Sequence, residues 1–178
     1  EFIELHNAGG VPTALFDASH PSNTWRLRGG VSFNLPGGVT LPSGGFALIV
    51  NFDPQLDASQ LDSFRARFGV PAGVPVFGPY AGKLDNGGER VELLQPDTPQ
   101  PADGFVPYVL VDAVEYGDGA PWPITGDGDG ASLQRNVALE FGNDAANWSA
   151  AGPTAGRANP AAAVRGPSVV TPPPSRFV

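Results

Sequence analysis

Apolar and polar residues alternate in short segments along the chain, and glycine or proline separates most of these segments. Residues 1–7 (EFIELHN) form the first such segment, in which alternation places Ile3 and Leu5 on one face. Because successive side chains of a β-strand point to opposite faces, this pattern predicts a strand with one apolar face. We expect the strand to end at Asn7 and the glycine pair that follows.

A second alternating pattern lies on both sides of a glycine pair, Gly29-Gly30. Its apolar members are Trp25, Leu27, Val31, Phe33 and Leu35. Two adjacent glycines accept the positive φ angles of a two-residue turn, so the pattern predicts a β-hairpin. Residues 46–50 (FALIV) are apolar throughout and predict a fully buried strand.

Helical spacing is clear in only one segment, residues 57–69. Leu61, Phe64 and Phe68 would lie on one face of a helix there. Ser59 and Asp62 have the spacing of a capping box, and Gly69 stands where a terminating glycine is expected. The sequence therefore predicts one short amphipathic helix of about ten residues that packs on an edge or end of a β-structure.

Further strands are predicted in the rest of the chain, at residues 11–17, 89–94, 108–116, 131–135 and 147–151. With the segments above they give seven to nine short strands and one helix. An all-β antiparallel sandwich or barrel is the natural class for such a pattern. From Pro160 onward the chain is rich in proline and small residues, which predicts an extended linker or tail over residues 160–178.

Composition narrows the classes of function. The net charge is −8 and Lys83 is the only lysine, so the basic surface that nucleic acid requires is not expected. The chain has no cysteine, which excludes disulfides and thiolate zinc sites. No apolar run approaches the length of a membrane span. The chain opens with Glu1 inside a predicted strand and contains no methionine, so we expect it to belong to a longer or processed polypeptide.

Five stretches, in this order, resemble the lamin-tail domain family, and especially its bacterial members. They are EFIELHN at 1–7, FRARF at 64–68 followed by VFGPYAGKLDNGGERVELL at 76–94, VDAVEYGDGAPWP at 111–123, GDGDGASLQR at 126–135 and NDAANWSAAGPTAGRAN at 143–159. One departure from the family pattern is Ala155, where proline is usual. The resemblance covers nearly all of residues 1–159 and implies an immunoglobulin-like β-sandwich over that range.

Similar bacterial domains belong to exported multidomain proteins, so the resemblance implies a secreted or cell-surface location. It supplies no active site. We therefore expect a non-catalytic structural or binding module, with neighbouring domains of the same polypeptide and a protein or cell-surface polymer as partners. The alternative is an adhesion domain that binds carbohydrate or depends on calcium, and an enzyme is the least favoured interpretation. Nucleic acid and a membrane span are not expected.

Trp122, between two prolines, and Tyr116 are the candidate ligand-binding residues. An exposed aromatic ring can stack on a sugar or anchor a protein partner. The competing interpretation is structural: Trp122 would fold over the end of the sandwich in a loop stiffened by proline. We favour this structural interpretation for Trp122 and place the other two tryptophans, Trp25 and Trp148, in the core.

Asp127 and Asp129, with Asp118 nearby in sequence, are candidate calcium ligands. Calcium prefers several oxygen ligands, and the glycines would let backbone carbonyls contribute. Ala131 and Ala138 stand at the fifth and twelfth positions of an EF-hand loop, so the segment is not an EF-hand. A solvated acidic turn is the favoured interpretation, and no other cofactor is predicted.

The remaining chemistry-bearing residues favour ordinary roles. We expect Glu4 to be a half-exposed carboxylate that accepts backbone hydrogen bonds. His6 and His20 have no partner at metal-ligand spacing and are expected to be ordinary strand and loop residues. The sequence contains no G-x-S-x-G nucleophile motif and no phosphate-binding glycine loop.

Overall fold

The computed structural model describes residues 1–123 and 130–160. Two sheets form most of it. The five-stranded sheet has the order β10 (Tyr108–Gly117), β9 (Gly88–Pro96), β3 (Arg26–Gly29), β4 (Val31–Asn34) and β8 (Ala81–Gly82). The three-stranded sheet has the order β1 (Phe2–His6), β6 (Phe46–Val50) and β7 (Val76–Phe77).

Two small strand pairs complete the described β-structure. They are β2 (Thr13–Ala14) with β5 (Thr40–Leu41), and β11 (Ser132–Arg135) with β12 (Trp148–Ala151). Pairing is antiparallel except between β6 and β7, which are parallel. The predicted fold class, an all-β sandwich with one short helix, is confirmed. The strands in residues 1–123 and 130–160 are more numerous than predicted because β2, β5, β7 and β8 have only two residues each.

The main hydrophobic core, which we call the central core, draws residues from both large sheets. Its buried members are Leu5, Leu15, Trp25, Leu27, Val31, Leu35, Leu41, Ala47, Ile49, Tyr80 and Val91. The predicted alternation of β1 is confirmed, because Leu5 is buried in this core and Ile3 packs against it. Trp25 is buried as predicted, but it lies just before β3 and not within a strand.

Strand β6 is buried on both faces, as its apolar sequence predicted. Ala47 and Ile49 point into the central core, whereas Leu48 and Val50 belong to a second cluster with Phe64, Val70 and Ala155. We call this second group the helix-side cluster. It exists because α1 (Ala58–Phe68), the one α-helix among the described residues, contributes Phe64 to it and so helps to cover that face of the three-stranded sheet.

The ends of α1 agree with the predicted bounds, but its N-terminal cap does not. Asp57 is the N-cap and accepts a hydrogen bond from the Gln60 backbone N–H at 2.8 Å. The predicted capping box of Ser59 and Asp62 is therefore wrong, because both residues lie inside the helix. Gly69 ends the helix in the left-handed conformation at φ 62°, as predicted.

The predicted hairpin is present, but its turn is not the two-residue turn expected. Leu27 pairs with Phe33, a register one residue away from that of a two-residue Gly29-Gly30 turn. Gly29 has φ 104°, and a Cβ there would lie 2.0 Å from the carbonyl oxygen of Arg90 on β9. The close approach of β9 therefore requires glycine at this position, and the hairpin has the shifted register described above.

Candidate functional site

An open cleft beside β10 brings together aromatic and polar side chains from three separate segments. It has a volume of about 650 Å³, and the side chains that matter are Glu115, Pro121, Trp122, Phe141, Asn143 and Asp144. Phe141 is 73% exposed, whereas Trp122 is partly buried. The cleft is therefore lined by both apolar side chains, such as Trp122 and Phe141, and polar side chains, such as Glu115 and Asn143.

β10 lies at the edge of the five-stranded sheet and supplies Glu115 to the cleft. Neighbouring residues of a strand point to opposite faces, so Tyr116 points away from the cleft. Tyr116 packs against the central core, and its hydroxyl donates to the carbonyl oxygen of Asp85 at 2.9 Å. Burial raises the pKa of Tyr116 to about 12. The structure thus separates Tyr116 from Trp122, although the two are close in sequence.

The segment that carries Phe141 and Asn143, residues 136–144, is held in place by one buried side chain. Asn147 is only 4% exposed. Its Oδ1 accepts from the Val137 N–H at 2.9 Å, and its Nδ2 donates to the carbonyl oxygens of Val137 at 3.0 Å and Phe141 at 3.4 Å. These hydrogen bonds take the place of the backbone pairing between strands that the loop lacks. The exposed Phe141 is therefore held on an ordered backbone.

The same segment is also attached to the edge of β10. The Asn143 Oδ1 accepts a hydrogen bond from the Glu115 N–H at 2.7 Å. Gly142 packs on the ion pair between Arg135 and Asp112, whose charged atoms are 2.7 Å apart. A Cβ on residue 142 would lie 1.9 Å from the Arg135 guanidinium, so a larger residue would displace the segment.

Trp122 is supported from behind by Trp148. Their ring centroids are 6.1 Å apart at an interplanar angle of 52°. Trp148 is itself fixed, since its Nε1 donates to the Gly142 carbonyl oxygen at 2.7 Å and the Arg135 guanidinium carbon lies 5.4 Å from its ring centroid. The prediction that Trp148 belongs to the core is wrong: it is partly buried and lies outside both hydrophobic clusters. Its role is to back the cleft.

The hydrogen-bonding groups of the cleft are only partly used by the described chain. The Asp144 Oδ1 accepts from the Ala146 N–H at 3.0 Å, and Glu115 Oε2 lies 3.4 Å from an Arg90 guanidinium nitrogen. Within residues 1–123 and 130–160, the Asn143 Nδ2 and the Trp122 Nε1 have no hydrogen-bond acceptor. The cleft therefore offers donors, carboxylate acceptors and apolar ring faces next to one another.

The calcium prediction is not tested by the structure. Asp118 is exposed in the turn after β10, while Asp127 and Asp129 lie outside the described residues. Among the residues that are described, no group of three or more His, Cys, Asp and Glu side chains is placed to hold a metal ion. No helix in the same residues is long and apolar enough to cross a bilayer.

Glu4 and the two histidines occupy the ordinary positions predicted for them. Glu4 is half-buried, and its Oε2 accepts from the Gly156 N–H at 2.6 Å. Burial raises the pKa of Glu4 to about 7, and this hydrogen bond only partly opposes the increase. His6 stacks on Phe46 with centroids 4.3 Å apart, and burial lowers its pKa. His20 is exposed and contacts Asp17 at 2.8 Å.

Sequence reasoning identified Trp122 but missed Glu115, Phe141, Asn143 and Asp144. Phe141 and Asn143 lie in a loop outside every predicted strand and helix, and their positions depend on Asn147 and on the edge of β10. The one available signal was an apolar residue at every second position (Val137, Leu139 and Phe141) outside any predicted strand. All three are exposed in the structure.

No protein-family model, curated protein or solved structure matches this chain.

Proposed function

We propose that this chain is a non-catalytic accessory module of an exported or cell-surface bacterial protein, and that the cleft at Trp122 is its binding surface. The observation that carries the proposal is the rigid presentation of exposed apolar surface. Phe141 is largely exposed, yet its backbone is fixed by the buried Asn147. Exposed apolar side chains on an ordered scaffold are typical of recognition surfaces, because little ordering entropy is lost on binding.

We further propose membership of the lamin-tail domain family on the five sequence stretches described above. Two of those stretches supply most of the cleft. Residues 111–123 contribute Glu115 and Trp122, and residues 143–159 begin with Asn143 and Asp144. The sequence features that support the family proposal thus coincide with the surface to which we assign binding.

Binding of the fluorescently labelled chain to cell envelopes of the organism that encodes it tests this proposal. We expect saturable binding by the unmodified chain. The double variant Trp122→Ala/Phe141→Ala should bind at least about tenfold more weakly, since truncating an aromatic anchor costs on the order of 2 kcal/mol. Phe105→Ala is the matched control, because Phe105 is also an exposed aromatic residue (58%) but does not line the cleft.

Equal envelope binding by the double variant and the unmodified chain would refute the cleft as the binding surface. Absence of saturable binding by the unmodified chain would refute a surface-binding role altogether.

A further inference from the structure

We infer that the cleft binds an uncharged glycan chain, with one sugar ring stacked on Trp122 or Phe141 and its hydroxyls hydrogen-bonded to the polar walls. This inference rests on the proposed function, because it names the class of ligand for the same site. The juxtaposition that carries it is an aromatic face beside hydrogen-bond donors and carboxylate acceptors in a cleft that is open to solvent.

The apolar half of the cleft matches one face of a pyranose ring. The axial C–H groups of such a ring form a flat apolar face, which gains free energy when it covers an aromatic side chain. Trp122 is held by Trp148 at a centroid distance of 6.1 Å, so a ring that covers it does not have to order it first.

The polar half of the cleft matches the hydroxyl groups at the rim of the same ring. A hydroxyl both donates and accepts, so it requires donors and acceptors side by side. The Asn143 Nδ2 and Trp122 Nε1 can donate, and the carboxylates of Glu115 and Asp144 can accept. An apolar peptide would leave the Asn143 Nδ2 and Trp122 Nε1 donors without partners, which costs affinity.

Charge excludes polyanions from the cleft. Among the described residues, Glu115 and Asp144 are the charged ones that line it, and the whole chain carries a net charge of −8. Phosphate- or uronate-bearing polymers would place like charges against these carboxylates. An open cleft also suits a polymer that continues beyond it at both ends, whereas sites for small molecules enclose most of the ligand.

Titration of the full chain with uncharged hexasaccharides of glucose, N-acetylglucosamine, xylose and mannose tests the inference, with tryptophan fluorescence and calorimetry as readouts. We expect at least one hexasaccharide to bind saturably and polygalacturonate not to bind. Trp122→Ala should weaken binding at least about tenfold. Trp122→Phe keeps an aromatic face and loses the indole N–H, so it should weaken binding less than Trp122→Ala does.

Asn143→Asp is the sharper variant. It keeps the Oδ1 that accepts from the Glu115 N–H, removes both Nδ2 donors and adds a charge. We expect about three- to tenfold weaker binding with an unchanged thermal melt, while the Phe105→Ala control binds like the unmodified chain. Asn143→Asp decides the question even if Trp122→Ala fails to fold.

The outcomes separate the two proposals. If none of the four hexasaccharides binds, or if Asn143→Asp and Trp122→Phe bind them like the unmodified chain, the glycan inference is wrong. If, in addition, the Trp122→Ala/Phe141→Ala variant still binds envelopes normally, the proposed function of the cleft fails as well. Envelope binding that requires Trp122 without any hexasaccharide binding refutes the glycan ligand alone.

Discussion

Two groups of aromatic side chains in this protein differ in how far they are exposed to solvent. On the helix side, Phe2, Phe52, Phe64 and Phe68 pack on one another with centroid distances of 5.0 to 5.9 Å. At the cleft, Trp122 packs on Trp148 behind it, and Phe141 is 73% exposed. Aromatic side chains therefore pack together on the helix side, whereas at the cleft part of their surface stays exposed to solvent.

The difference lies in what holds each group in place. The helix-side rings stabilise each other, because each buries apolar area against its neighbours. The cleft rings are positioned by hydrogen bonds to backbone groups, from Asn147 and from the Trp148 Nε1. Aromatic residues that serve stability are thus enclosed by other apolar groups, whereas Phe141 at the cleft is held through hydrogen bonds to its backbone and stays exposed.

The largest effect is expected from Phe64→Ala on the helix side. Phe64 is 9% exposed and contacts Phe2, Phe52 and Phe68, so truncation should lower the free energy of unfolding by about 3–5 kcal/mol. Phe141→Ala is the matched comparison and should change it by less than about 0.5 kcal/mol. Urea denaturation measures both. Similar losses in the two variants would mean that the contrast between the regions is wrong.

The next effect concerns the polar scaffold of the cleft. Asn147→Ala removes one acceptor and two donor contacts from a buried side chain to the backbone of Val137 and Phe141, which should cost about 2–3 kcal/mol of stability. Hydrogen exchange should accelerate at the Val137 amide more than at amides of β6. Ser149→Ala, which removes a single hydrogen bond to Asn136 directly after β11, is the control. Unchanged protection of Val137 would contradict the role assigned to Asn147.

A third effect depends on pH and involves the half-buried carboxylate of β1. The folded-state pKa of Glu4, about 7, lies above its ordinary value of 4.5. The folded state therefore binds the proton more tightly than the unfolded state. The stability contributed by the protonated group is complete below pH 4.5 and is lost as the pH rises through 7.

Glu4→Gln removes this titration and keeps an oxygen that can accept from the Gly156 N–H. Between pH 4.5 and pH 8, the unmodified chain should lose about 1–2 kcal/mol relative to the variant, after allowance for solvent screening of a half-buried group. Urea denaturation at several pH values measures this difference. Parallel stability curves for the two proteins would show that burial does not shift the pKa of Glu4.

Local patterns predicted the helix-side region well and the cleft poorly, for physical reasons. The strand over residues 46–50 and the helix over residues 57–69 follow from periodicity, which a short stretch of chain determines by itself. The loop that carries Phe141 is held by Asn147 and by the edge of β10, and no local pattern encodes those contacts. Likewise, the turn at Gly29 is set by the carbonyl of Arg90, far away in sequence.

The smallest expected effect concerns the N-terminal cap of α1, the part of the helix-side region whose sequence prediction was wrong. Asp57 accepts from the Gln60 N–H and caps α1, so Asp57→Ala should cost about 1 kcal/mol of stability. Ser59, which the sequence pattern places in the cap, lies in the first turn of the helix and is exposed, so Ser59→Ala should be neutral within about 0.5 kcal/mol. Chemical denaturation of both variants measures the difference. A larger loss of stability for Ser59→Ala than for Asp57→Ala would support the capping box of Ser59 and Asp62 instead. The structural reason against it is position: the helix begins at Ala58, so a side chain that caps it must come from the residue just before.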